Sequence, residues 1–327
     1  MESSSSKIVR RSIFTFLKHY QHFTSIAALF VFPVSVSVLL SQVVLPSFSP
    51  LLQIIHARLQ SLFHAAGFPP SLPFFSLLSL KLSQTISSSI LTVPFTLSFL
   101  LIGKACVIQI LHHPKLSLSS SLSYFAFLYS RLLLTYLCNS FVILAANAAA
   151  FSILFLTFNS FDAFGFSSPN FLLLLSAAGA VLYSVVLANT LVICNLALIV
   201  AGMENCSGYL PILKACVLIK GRASKALSLA LPINLGLAAI EALFQYRVVR
   251  GHHLYDRYGP SVALEGILIA YLYSLLVLLD TIVSCIFFKS CKSASQMHSQ
   301  GRYNYQMGIA EENNSIFTYS KALLEIP

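Results

Sequence analysis

Charge is what this sequence has least of. Only 9% of its 327 residues are Asp, Glu, Lys or Arg, where an ordinary soluble domain carries about 25%. So few cannot cover a water-facing surface, which excludes a soluble globular domain, a nucleic-acid-binding domain and a disordered chain. Catalytic signatures are absent too: there is no His-Glu-x-x-His, no Gly-x-Ser-x-Gly, no P-loop and no dinucleotide fingerprint. The seven cysteines (Cys106, Cys138, Cys194, Cys206, Cys216, Cys285 and Cys291) are odd in number and contain no Cys-x-x-Cys pair. Neither a disulfide framework nor a zinc or redox site follows from them. No internal repeat of the kind many transporters carry is visible. A secretory leader is not expected either. Lys7, Arg10 and Arg11 precede an apolar run reaching from about 24 to 45, longer than a leader's core of roughly 7–15 residues.

Apolar residues fill the space instead, at 57% of the chain with a mean hydropathy of +0.82. A crossing takes about 20 of them. The runs predict an all-α polytopic membrane protein, a bundle of about six transmembrane helices with two or three interfacial amphipathic helices. Spans are expected at about 22–45, 86–111, 126–158, 170–202, 226–247 and 262–288. Residues 1–21 form a basic amphipathic segment, 22–289 the transmembrane domain, and 290–327 a polar tail expected to be disordered. Within 7–20, Ile13, Phe16, Leu17 and Tyr20 share a face while Arg10, Arg11 and Lys18 lie elsewhere, as suits an anionic leaflet. Within 46–82, a proline-bracketed connection, Leu51, Ile55, Leu59, Leu62 and Ala66 oppose Gln53, His56, Gln60 and His64. That pattern reads as a second interfacial helix or as one packed on the bundle. Small residues at 145–150 and 176–180 predict close contact between spans three and four.

Six spans put both termini on one side. Lys7, Arg10, Arg11, Lys18, Lys104, Lys115, Arg131, Lys214, Lys220, Arg222, Lys225, Lys289, Lys292, Arg302 and Lys321 fall on the side of the termini. Only Arg58, Lys81, Arg247, Arg250 and Arg257 fall opposite. The excess predicts an integral membrane protein with cytosolic termini, in contact with the anionic cytosolic leaflet; it leaves endomembrane and plasma membrane open.

Charges inside apolar runs are the places to look for chemistry, because burying one is costly unless it is paired or wet. Asp280 is the deepest, nine residues before Lys289 and so about 13 Å inside the boundary. It needs a partner among Asn147, Asn189, Asn195 and Asn234, either as a hydrogen-bonding glue or as a proton- or ion-coupled site. Lys104, two turns from the end of its span, is expected to snorkel. Glu241, Arg247 and Glu265 fall together towards the other face and predict an ion cluster pinning spans five and six. Cys291, between Lys289 and Lys292 at the membrane surface, is a candidate for palmitoylation or a bare thiol. His252, His253 and Asp256 form a loop cluster whose spacing is too common to identify a metal or acid–base site. No cofactor, metal ligand or nucleic-acid partner is expected.

A resemblance appears at the fourth inner loop. Ile199-Val200-Ala201-Gly202-Met203-Glu204, then Gly208, Lys214-Ala215-Cys216 and Leu218-Ile219-Lys220-Gly221-Arg222, resembles a plant family of uncharacterised six-span transmembrane proteins. Cys291-Lys292-Ser293 is similar to that family's end, although this chain lacks the tryptophans its members carry. The resemblance implies a multi-pass membrane protein without an established activity. A fainter one, to membrane domains accompanying bacterial glycerophosphodiester phosphodiesterases, carries over no activity because the catalytic domain is absent. Three functions are therefore weighed: a non-catalytic organiser of membrane or of a membrane-protein partner, a small-solute or ion transporter using Asp280, and a lipid-modifying enzyme resting on His252, His253 and Asp256.

Overall fold

Hydrocarbon offers a backbone no water, so each apolar run must close its own hydrogen bonds, and a helix does so within one segment. The computed structural model describes residues 2–48, 50–65, 73–112, 121–163, 169–249 and 260–324, and no strand occurs among them. The helices are α1 (Glu2–Lys18), α2 (Tyr20–Ile26), α3 (Phe32–Phe48), α4 (Pro50–Ala65), α5 (Pro73–Phe95) and α6 (Leu101–His112). They are followed by α7 (Ser121–Ala163), α8 (Pro169–Met203), α9 (Leu210–Ile219), α10 (Ala223–Phe244) and α11 (Pro260–Leu324). Among the described residues, six stretches are long and apolar enough to cross a membrane: Tyr20–Val43, Ser76–His112, Phe125–Phe161, Leu173–Met203, Ala223–Val249 and Val262–Ala294. The protein is an all-α polytopic bundle.

The second span begins about ten residues earlier than the sequence suggests. Pro73 opens α5 rather than closing a loop, as a residue without an N–H can where the first helical donors are unpaired anyway. The serines that look loop-like there bond their own helix: Ser79 Oγ donates to the Ser76 carbonyl (3.0 Å) and Ser83 Oγ to that of Leu80 (2.8 Å). With their hydroxyls satisfied, Ser79 and Ser83 act as small residues on a buried face. The tail differs also. The α11 backbone continues to Leu324 where disorder is expected from 290, and the sequence holds no proline between Pro260 and Pro327 to force a stop.

Of the three π-helical turns among the described residues, two sit beside prolines. Ala27–Val31 precedes Pro33 and Thr96–Leu100 follows Pro94. Proline lacks a donor and crowds the preceding turn; widening the ladder beside it keeps the span continuous.

The bundle is densest at the end that carries α9. Leu101, Ala105 and Ile108 of α6, Leu128 and Leu132 of α7, and Ala197, Ile199 and Val200 of α8 meet Ala215 of α9 and Cys285 of α11 there. Phe23, Ala27 and Val31 join from the first span through Leu278 and Ile282. The contact between spans three and four is present, made by fewer small residues than the patches suggest. Gly179 and Ala150 are buried, whereas Ala145, Ala148, Ala149, Ala177 and Ala178 are exposed.

Lipid supplies no hydrophobic drive between helices, so close fit must do the work. At Gly202, an added Cβ would lie 2.8 Å from Ile108 Cδ1 and 3.0 Å from its Cγ2, so any side chain there overpacks α8 against α6. At Gly266 the nearest atom would be 3.7 Å away, an ordinary contact. We therefore expect Gly202→Leu to cost about 1–3 kcal/mol. Gly266→Ala should be neutral or slightly stabilising. Thermal unfolding of the detergent-solubilised variants checks both, and equal effects would contradict this packing.

Candidate functional site

Three helices bring one buried charge network together. Lys104 on α6 donates from Nζ to Asn195 Oδ1 (2.8 Å), and Asn195 Nδ2 on α8 donates to Asp280 Oδ2 on α11 (2.8 Å). Asn195 Nδ2 also reaches Ser284 Oγ at 3.4 Å. The amide lies with its oxygen towards the ammonium and its NH2 group towards the carboxylate, so one neutral side chain stabilises both charges. Beside the network is a cavity of about 40 Å³ whose wall includes Asn195, Asp280, Ser284, Leu229 and Phe287. A water needs roughly 10–15 Å³, so the space suits one to a few waters and nothing larger.

Of the four candidate amides, Asn195 is the partner of Asp280. Asn147 accepts the Tyr183 hydroxyl (2.8 Å), Asn189 donates to the carbonyl of Val185 (3.0 Å), and Asn234 is exposed. Lys104 does not snorkel. It is only 9% exposed, because an acceptor on the neighbouring helix holds the ammonium inside more directly than a stretched stem could in reaching the boundary. Asn139, which the sequence reading passes over, is also buried and donates to the Cys194 carbonyl (2.8 Å). An amide within an apolar run was the available signal.

The expected ion cluster at the other end does not form. Glu241 accepts the Tyr273 hydroxyl (3.1 Å), and among the described residues no ion pair joins Glu241, Arg247 and Glu265. Six residues place Arg247 roughly 240° around the helix from Glu241, and its side chain is exposed. Cys291 is likewise not at the surface. It is 4% exposed, within the core of the α9 end, and its carbonyl accepts Arg222 Nη1 (3.0 Å). Its face of α11 turns towards the bundle, so a lipidating enzyme could not reach it. His252, His253 and Asp256 lie outside the described residues.

A second ionic group stands at the α9 end. The chain leaves α8 through Asn205 (φ 55°) and Gly208 (φ 74°), enters α9 at Pro211, and leaves it through Gly221 (φ 77°). These positive φ values explain the glycines, which adopt them without the clash that a Cβ brings. The double turn brings Glu204 against Lys214 (Oε2, 2.8 Å) and against Lys292 of α11 (Oε1, 2.9 Å). One carboxylate thus latches α8, α9 and α11.

A six-span polytopic bundle with one buried polar joint and one part-exposed ionic joint defines the class of protein. Residues 4–300 match the family described as Domain of unknown function (DUF8558), and the chain belongs to it. No curated protein and no solved structure matches the chain.

Removing one end of the central network leaves the other charge buried without its counterpart. Lys104→Met or Asp280→Asn alone should cost about 3–5 kcal/mol, and the double variant should recover most of the loss. Thermal unfolding of the four proteins measures this coupling; additive losses would show that the two charges do not sense each other.

Glu204 gives a pH test. Partial burial pushes its carboxyl up, but the hydrogen bonds and charges of Lys214 and Lys292 together outweigh burial and hold it below the ordinary carboxylate value. A lowered folded value means the latch is fully stabilising above the unfolded carboxylate's range and is lost as pH falls through the folded one. The Glu204 hydrogen bond raises Lys214, so the same pair weakens again only at strongly alkaline pH. The stability difference between wild type and Glu204→Gln should therefore be constant around neutrality and vanish in acid, as read by hydrogen exchange in α9. A difference that persists below the carboxylate range would refute the latch.

Proposed function

We propose that the protein is a non-catalytic multi-pass membrane protein that organises the bilayer, or partner proteins within it, around a rigid bundle. The observation that carries this reading is the closed Lys104–Asn195–Asp280 network, which ties three spans together beside a space no larger than a few waters. A joint of this kind fixes helices in place.

The surface helices support the same reading. At 100° per residue, α1 divides into three sectors. Ile8, Ser12 and Phe16 turn to the bundle, Ile13 and Leu17 are exposed on one flank, Lys7, Arg11 and Lys18 lie on the other, and Arg10 and Phe14 stand together between those two flanks. A helix at the edge of a bundle, with lipid on one flank and anionic headgroups on another, needs this division. The lysine and arginine distribution supports a cytosolic position for α1 and for both termini. α4 contributes less to the lipid side. Ile55, Leu59 and Phe63 are half-buried, with the Phe63 ring 6.2 Å from that of Phe151, while Ile54 and Leu62 are exposed.

One observation favours the second reading, a small-solute or ion transporter. The cavity touches Asp280 and Ser284 directly, and an intramembrane carboxylate beside water-sized space is where coupling would occur. Proteoliposomes carrying a trapped pH indicator separate the two. The organising reading expects no proton flux above that of empty vesicles, with or without an added cation gradient. Flux that appears with the wild type and disappears with a folded Asp280→Asn protein would replace it with the transporter.

A further inference from the structure

The α9 end carries a groove of about 450 Å³ between the last turn of α8, α9 and α11, within the size range of small-ligand sites. Its walls are apolar, formed by Val200, Leu213, Val217 and Phe288, and Lys214 and Lys292 stand at it with Glu204 between them. Leu213 is 66% and Val217 74% exposed. Each lysine gives one N–H to Glu204 and keeps two others, and two ammonium groups against one carboxylate leave a net positive charge.

We infer that this groove holds an anionic glycerophospholipid, its phosphate on Lys214 and Lys292 and one acyl chain along Leu213, Val217 and Phe288. The charge selects an anion. The walls select an amphiphile, since a free phosphate would leave Leu213 and Val217 uncovered. Glu204 fixes the separation of the two ammonium groups and also competes with the phosphate for them. The inference rests on the reading that this end of the bundle lies at a leaflet, and takes it from general adhesion to a discrete site.

Native mass spectrometry of the full-length protein in detergent tests it, with phosphatidylserine, phosphatidylcholine and glycerol phosphate as probes. One phosphatidylserine should be retained about tenfold more tightly than phosphatidylcholine, and glycerol phosphate should not displace it. Lys214→Gln/Lys292→Gln should abolish the preference, and Val217→Trp, which fills the groove from an exposed position, should lower retention without unfolding the bundle. Glu204→Gln should strengthen retention while loosening the latch, two effects of opposite benefit that a merely structural triad would not give. Equal retention of the two lipids, a preference that survives the double lysine variant, or weaker binding by Glu204→Gln would overturn the site. Displacement by glycerol phosphate would make it a site for soluble anions and overturn the lipid. None of these variants touches α1 or Asp280, so failure here leaves the proton-flux result, and the membrane-organising reading with it, standing.

Discussion

A carboxylate and an ammonium enclosed by apolar helices must be reconciled before the rest of the bundle can pack, and here a single asparagine reconciles them. Asn195 accepts from Lys104 and donates to Asp280, so α6, α8 and α11 cannot rotate independently without stranding a charge. Much of the remaining packing is compatible with only that rotation. With Asn195 directed at α6 and α11, Gly202 two turns further along α8 comes against Ile108 of α6, and Ile199 falls fully inside the core. Apolar contact alone is nearly indifferent to helix rotation when lipid is as greasy as a neighbour's leucine. A polar joint is not, because the alternative is an unpaired group in hydrocarbon.

The number and order of spans were legible in the sequence, since a twenty-residue apolar run leaves few other interpretations. The need of Asp280 for a partner was legible too: it was marked as a charge within an apolar run, and Asn195 lay among four named amides. What could not be read was helix rotation. Lys104 and Cys291 were both assigned by distance from the end of a run, which says how deep a residue lies and nothing of which way it faces. Each faces inward, Lys104 towards Asn195 and Cys291 towards the core reached by Arg222. The same gap explains the small-residue patches, where periodicity marked the helices that meet but not that Gly179 and Ala150 face inward while Ala148 and Ala177 do not.

Glu204 shows a different limit. In sequence it is an ordinary charge at the end of a span, and one of its two lysines lies 88 residues away. Only the resemblance quoted it. The fold supplies its meaning through backbone conformation: positive φ at Asn205, Gly208 and Gly221 reverses the chain twice within a short segment, bringing α9 back beneath α8 and exposing Lys214 to the same carboxylate as Lys292.

The two ionic groups share the pair α8 and α11. Asn195 and Glu204 are nine residues apart on α8, and Asp280 and Lys292 twelve apart on α11, separations of about 14 and 18 Å along the axes. The helices are thus joined at two depths, with Ile199, Ile282 and Cys285 buried between. The joints differ in what they leave over. At the inner one both N–H donors of the Asn195 amide have acceptors in reach, and the space beside it holds no more than a few waters. At the outer one the lysines, each about half exposed, retain donors and border an open apolar groove. A transporter needs its uncommitted polar groups in the middle of the membrane, where a solute must pass. Here the lysines with donors to spare stand at the α9 end, beside the apolar groove, and the organising role proposed above rests on that difference between the two joints.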